Sequence, residues 1–453
     1  MRTFPAVLAL AAAAALQAQP LTLSQAVDRA LHNYPSIQVT DEQIQAAAAS
    51  IDLARTAYLP RVDALAQANR ATRNNVFGLL LPQSVIPSMS GPVIGSNNLG
   101  TAWGSAIGVL ATWEPFDFGL RQANVDTSMA DRRRAQAARQ RTQFEVAATT
   151  ADAFLTLAAA EETVVAAQAA VERATVIVRT TTALVIAELR PGADRSRAEA
   201  ELAAARTQAI QAHQAVEMAR VTVAQFTGLD AAKVSLTAPS LRQLPAARAE
   251  APPAVDANPL AVEQEAVIEQ EKARLHALER SYFPRFYLQG AAYARGTGAE
   301  LNGTNLGGLN GLAPSVQDYA LGFTVVFPAL DKPAIQARQA VQAANVRAQQ
   351  AKARQIATDL HAQWARAVAS LEGARQVAAN TPTQIAAARA ALEQARARYE
   401  SGLGAIDPVA EAQRLLAQAE IDDALARLSV WRGLLAVAAA GGDIRPFVAE
   451  VGQ

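Results

Sequence analysis

Residues Tyr58-Leu-Pro-Arg-Val62 read YLPRV, and Tyr282-Phe-Pro-Arg-Phe286 read YFPRF, 224 residues later. The same offset relates Tyr34-Pro-Ser-Ile37 to Asn258-Pro-Leu-Ala261, each 24 residues before its pentapeptide. Further along, Asp117 and Gln122-Ala123 correspond to Asp331 and Gln336-Ala337 at an offset of 214, and Leu189-Arg-Pro-Gly-Ala-Asp194 corresponds to the stretch Ser401 to Asp407. An ordered set of matches describes an internal duplication. Repeat 1 occupies residues 19–243 and repeat 2 residues 260–453, joined by the Pro-rich linker 244–259. Each half begins with a helix that its Pro brings to an end, because the residue before a Pro is pushed toward extended geometry.

The strands expected after each joint are about 61–70 and 103–115 in repeat 1, and about 286–295 and 319–328 in repeat 2. They alternate. Trp103, Ile107, Val109, Ala111 and Trp113 stand opposite Gly104, Gly108, Thr112 and Glu114. Tyr319, Leu321, Phe323, Val325 and Phe327 stand opposite Ala320, Gly322 and Thr324. Residues two apart share a face, so each strand has one greasy and one small or polar side. Trp103 and Trp113 lie ten residues apart, about 23 Å along a membrane normal for a strand tilted near 45°. The spacing suits aromatic belts around an apolar band, with the face of a β-sandwich as the alternative. Four strands fall short of the roughly eight of the smallest membrane barrel, and open edges do not occur in lipid. Strands of this kind in a membrane require several copies of the chain.

Two very long helices are expected, at 119–188 and 334–400, with returning helices at 195–225 and 408–440. Leu157, Val164, Val171, Val178 and Val185 recur every seven residues, with Ala160, Ala167 and Ala174 three residues on. Leu360, Trp364, Ala367, Leu371, Ala374 and Ala378 repeat the pattern. Large residues alternating with Ala suit closely packed coiled-coil pairs. The fold class is therefore mainly α with a β-barrel portion.

Composition narrows the function. Lys plus Arg equals Asp plus Glu at 41 each, so no basic face for nucleic acid is indicated. The absence of Cys excludes disulfides, thiolate metal sites and Cys nucleophiles. Residues 1–18 read as a secretory signal peptide, with Arg2 before an apolar run and Ala18 before Gln19; a buried N-terminal helix is the alternative. No later run of about 18 apolar residues is present, so no membrane-spanning helix is expected. His32, His213, His276 and His361 are scattered singly, and HExxH, GxSxG, GxGxxG and phosphate-loop patterns are missing, so no enzyme, cofactor or metal site is expected.

The sequence resembles the TolC-like outer-membrane efflux protein family. The resemblance is carried by LTLSQAVDRALHNYPSI (Leu21 to Ile37), both YxPR joints, WEPFDFG (Trp113 to Gly119), ADRSRAEAELAAAR (Ala193 to Arg206) and AEAQRLLAQAE (Ala410 to Glu420). It implies a homotrimer in which each chain gives four strands to a twelve-stranded outer-membrane barrel and its helices to a periplasmic tunnel. It implies an exit duct for a tripartite pump or type I secretion system. The partners would be a periplasmic adaptor (membrane fusion) protein, an inner-membrane transporter of RND, ABC or MFS type, and outer-membrane lipid.

The family's acidic DVLDA-type constriction aligns with Pro408-Val-Ala-Glu411-Ala, which implies Glu411 at the second acidic position, with Asp407 beside the Pro408 that replaces the first. The alternative role of Asp407 and Glu411 is to favour the N-terminus of the returning helix. The turns containing Arg190, Gly192, Asp194, Gly402, Leu403 and Gly404 are expected to meet the adaptor, their glycines supplying left-handed geometry. Trp103, Trp113, Tyr319 and Phe327 are the expected membrane-interface aromatics. Only four Met residues speak against a copper duct. A secreted periplasmic coiled-coil protein without channel activity is the rival reading, and it leaves the strands without a role.

Overall fold

The computed structural model describes residues 20–72, 100–246, 252, 254–300 and 304–452. The expected signal peptide and most of the first inter-strand loop lie outside these residues. Elements follow in the order α1 (Leu23–Asn33), α2 (Pro35–Thr56), β1 (Arg61–Thr72), β2 (Thr101–Phe116), α3 (Leu120–Ile186), α4 (Gly192–Thr227), α5 (Pro259–Arg280), β3 (Arg285–Thr297), β4 (Val316–Val326), α6 (Lys332–Glu400), α7 (Asp407–Gly441) and α8 (Arg445–Val451). The chain divides into two compact units. The strand-bearing unit comprises Ile44–Arg134 and Ala266–Gln350; the helical unit comprises Met1–Gln43, Ala135–Glu265 and Ala351–Gln453.

In the strand-bearing unit the four strands form one antiparallel sheet in the order β1-β2-β3-β4. Both repeated pentapeptides make the same joint, but the helix stops earlier than the Pro alone requires. A turn built by Tyr58 N–H to the Arg55 carbonyl (3.0 Å), and Phe283 N–H to the Arg280 carbonyl (3.3 Å), intervenes before Pro60 and Pro284. The Arg after each Pro opens its strand. The first joint is stitched to the start of α3. Trp113 Nε1 donates to the Tyr58 carbonyl (3.0 Å), and the Tyr58 hydroxyl donates to Gln122 (3.2 Å). Arg121 donates to Asp117 (3.0 Å), with both side chains buried, and its guanidinium lies 4.7 Å from the centre of the Tyr58 ring. Asp117 also accepts the Gly119 and Arg121 backbone N–H groups, satisfying donors that a helix start leaves open. The second joint is an aromatic contact between Tyr282 and Phe327, with Lys332 beside the Tyr282 ring.

The helical unit buries its large residues at one level. Phe154, Leu155 and Leu157 of α3, Val223 of α4, Leu371 of α6, Leu428 and Trp431 of α7 and Phe447 of α8 share one core. Thr22 caps α1 through a capping box with Gln25. Beyond this core the α3 seam becomes thin: Ala167 and Ala174 are fully buried while Val164, Val171, Val178 and Val185 are only half-buried. Small residues at the buried positions let helices approach closely.

Three expectations need correction. α3 and α7 each contain an 18-residue window apolar enough by composition to cross a membrane. That apolarity is Ala and Val spread through charged helices, and α7 spends it on internal packing, with residues from Val409 to Ala440 buried. β4 ends at Val326, so Phe327 lies just past the sheet. α4 begins at Gly192, which places that glycine inside a helix. α6 continues through Pro382, whose missing N–H would break most helices. There Thr381 is buried and donates its hydroxyl to Asp423 of α7 (2.6 Å), which is also paired with Arg427.

Candidate functional site: an apolar sheet face and a charged helix tip

The register of the sheet collects most large apolar side chains on one side, with Leu65, Leu110, Val316 and Val326 on the other. Val109 pairs with Ala64 and Ala292, and Ala292 with Tyr319; Trp113 pairs with Leu288, and Leu288 with Phe323. Tyr319, Leu321 and Phe323 are 84%, 83% and 64% exposed, values that a water-facing sheet would not hold. The other side is polar and ion-paired. Arg285 makes a bidentate pair with Glu114 (2.8 and 2.7 Å), and Arg295 pairs with Asp318 (3.1 Å). Gly108 belongs to this side, where a Cβ would collide with Tyr293, its partner across the ladder. Apolar-out and polar-in is the pattern of a lipid-bounded barrel with a wet interior. Of the expected belt residues, Tyr319 is in register with Val109, and Trp113 with Phe323; the single-strand pattern gives parity but no register.

Within the helical unit, two turns connect α3 to α4 and α6 to α7. Only Gly402 of the three expected turn glycines is left-handed (φ +83°). At the first turn that conformation falls on Glu188 (φ +58°), a residue with a Cβ, while Gly192 and Gly404 stay at negative φ. A left-handed non-glycine costs about 1 kcal/mol or more; the Leu189 N–H donating to the Leu184 carbonyl (2.9 Å) holds it in place. Leu403 N–H closes the second turn on the Arg398 carbonyl (2.9 Å).

The two turns are joined through Tyr399, 3% exposed. Arg190 donates to the Tyr399 carbonyl and lies over its ring at 4.4 Å, and the Tyr399 hydroxyl donates to Asp194 (3.0 Å). Burial pushes the phenol above its ordinary value, and the nearby Asp194 carboxylate adds to that shift. Sequence reading named Arg190 and Asp194 but missed Tyr399; the only signal was an aromatic placed two residues before the Ser401-Gly402 turn.

Asp407 and Glu411 are both exposed on the first turns of α7, and each meets an Arg of its own chain. Asp407 pairs with Arg197 (3.6 Å) and Glu411 with Arg414 (2.6 Å). Glu201 of α4 bridges both arginines, at 3.3 and 3.8 Å. The five charges form a ladder between α4 and α7, beside a groove of about 500 Å³ lined in part by Gln208, Gln211, Gln413 and Gln418. Spacing in sequence could not bring Arg197 and Asp407 together; only the hairpin pairing does.

A lipid-type sheet face joined to helical hairpins with charged tips can be compared with known proteins. The sequence profile described as "Outer membrane efflux protein" matches residues 26–229 and 254–443. The chain belongs to the outer membrane efflux protein family. It is thus an outer-membrane exit duct of efflux pumps and a passive channel, not an enzyme. No curated protein sequence matches it at a significant level. Among solved structures, the outer-membrane channel OprN is 23% identical with a TM-score of 0.73, covering 94% of this chain and 91% of its own. The CmeC outer membrane channel of Campylobacter jejuni is 16% identical (TM-score 0.73, covering 95% and 89%). The MtrE outer membrane channel of Neisseria gonorrhoeae is 20% identical (TM-score 0.70, covering 93% and 89%). At these identities the likeness concerns the fold. It gives the four-stranded sheet and paired long helices of this efflux protein the architecture of a channel subunit.

Proposed function

We propose that three copies of this efflux protein pool their sheets into one twelve-stranded barrel above a common helical conduit, through which small molecules leave the cell. The observation that carries the reading is the sheet itself. Its apolar face exposes large side chains on all four strands, as at Val62, Val109, Leu288 and Leu321, and β1 and β4 each have a second edge with no partner strand among the described residues. An edge in lipid leaves N–H and C=O groups unsatisfied at several kcal/mol each, so the edges must pair with further copies. The test is the mass of the detergent-solubilised protein together with heat-modifiability on a gel. A folded species that remains monomeric would sink the proposal.

In the same reading, the tips carrying Arg190, Gly192, Asp194, Gly402, Leu403 and Gly404 meet a periplasmic adaptor, which couples the duct to an inner-membrane transporter. Asp407 and Glu411 face the narrowest part of the conduit. The ladder through Arg197, Glu201 and Arg414 supports a refinement: the acidic groups are held in place by arginines and do not stand as a bare anionic ring. Cation preference follows from the residual negative charge around the pore. In a planar-bilayer recording, Glu411→Ala is expected to raise conductance and weaken cation selectivity; unchanged values for both would remove Glu411 from the constriction.

A further inference from the structure

The connection between β3 and β4 folds back onto the sheet. Gly298 N–H donates to the Trp103 carbonyl (2.8 Å), Leu306 N–H to the Gly298 carbonyl (2.9 Å) and Ser315 N–H to the Arg295 carbonyl (2.9 Å). Ala299 and Asn305 form an isolated antiparallel bridge. The glycines identify the side of the sheet on which the segment lies. Gly296 is in register with Ser105, two residues beyond the pair of Ala294 and Ile107, so it belongs to the apolar row. A Cβ on Gly296 would run into the carbonyl oxygens of Ala313 and Gly311, and one on Gly311 (φ +94°) would strike the Trp103 carbonyl. The segment around Gly311 therefore rests on the apolar face, at the end of β2 away from the helices. Ser105 Oγ lies buried on this same face.

What this segment shows to its surroundings is uncharged and includes two leucines. Leu306 and Leu309 are 50% and 73% exposed, and from Asn305 to Ser315 there is no charged residue. Its backbone is largely satisfied from within. Asn310 Nδ2 donates to the carbonyls of Leu306 and Gly307 (3.0 Å each), Asn310 N–H to the Gly307 carbonyl (3.3 Å) and Leu312 N–H to the Leu309 carbonyl (3.1 Å). Left-handed Gly307 and Gly308 make so tight a turn possible. A segment that meets its own hydrogen bonds and exposes leucines is suited to the boundary between headgroups and acyl chains, where an open backbone is not.

From this juxtaposition we infer that the β3–β4 loop is a lipid-contacting flap, folded outward so that Leu306 and Leu309 dip into the outer-leaflet boundary instead of covering the mouth of the channel. The inference rests on the proposed barrel, whose apolar face meets lipid. The chain has no Cys, so a nitroxide can be placed at single sites without removing native thiols. Leu309→Cys and Leu306→Cys report the flap, Leu321→Cys the apolar sheet face and Gln289→Cys the polar face. The labelled proteins would be reconstituted in vesicles of phosphatidylethanolamine and phosphatidylglycerol, and collisions with oxygen and with a water-soluble nickel chelate measured. The flap positions are expected to favour oxygen as Leu321→Cys does, with the opposite preference at Gln289→Cys. Leu321→Cys in lipid with both flap positions in water would overturn the flap and leave the barrel standing. Leu321→Cys in water would overturn both.

Discussion

At the first helix-to-strand joint, Tyr58 is held by Trp113, Gln122 and Arg121, and the Asp117–Arg121 pair beside it is buried; at the second, Tyr282 leans on Phe327, and Asp331, the counterpart of Asp117, is exposed. Position 335, which corresponds to Arg121, is an Ile, so Asp331 has no cation at that place. The duplicated pentapeptide therefore specifies where the chain turns from helix to strand, because Pro acts on backbone geometry alone. It does not specify how the joint is locked. The lock is made by residues more than forty positions away, and two of those at the first joint, Trp113 and Arg121, are replaced by Phe327 and Ile335 in the second half.

The largest test of this contrast is Asp117→Ala against Asp331→Ala. Removing Asp117 strands a buried guanidinium, with an expected loss of about 3–5 kcal/mol, whereas Asp331→Ala is expected within ~0.5 kcal/mol of the parent. Thermal unfolding of the detergent-solubilised protein reads both, and equal losses would show that the joints are locked alike. Next come the glycines of the polar sheet side. Gly108→Ala meets Tyr293 and is expected to cost about 1–3 kcal/mol through overpacking, while Gly322→Ala has open space around it and is expected to be tolerated. The folded fraction on a heat-modifiability gel separates them; a tolerated Gly108→Ala would contradict the register of β2 on β3.

The smallest expected effect lies at the helix tips. Tyr399→Phe removes one hydroxyl bond to Asp194 and is expected to cost about 0.5–1.5 kcal/mol. The folded-state pKa of Tyr399 is raised, so its contribution is complete below the ordinary tyrosine value of 10.0 and is lost as pH climbs through the higher folded value. An ultraviolet titration should show the late-ionising tyrosine absorbance of the parent reduced by one residue in Tyr399→Phe. Simultaneous ionisation of all tyrosines would contradict the buried hydroxyl at the tip.

Much of the fold was legible in the sequence because periodicity is local. Alternation in Tyr319 to Val325 and heptads from Leu157 to Val185 needed no knowledge of partners. Properties that depend on partners were not legible. The backbone of Glu188 is left-handed because the α3–α4 turn closes there, not because its side chain favours it, and attention went instead to Gly192, which begins the next helix. In the same way, Arg197 and Glu201 looked like ordinary helix charges until hairpin pairing set them beside Asp407 and Glu411. The buried bond from Thr381, beside Pro382, to Asp423 was equally invisible, because Asp423 comes from a second helix.

The bare outer rims of β1 and β4 have a consequence for biogenesis. A newly exported copy carries two ribbons of hungry peptide groups and a greasy panel through an aqueous compartment, conditions under which such surfaces adhere to one another indiscriminately. In the proposed barrel, closing the cylinder is thus a concentration-dependent event, completed once sister copies and the bilayer are both at hand.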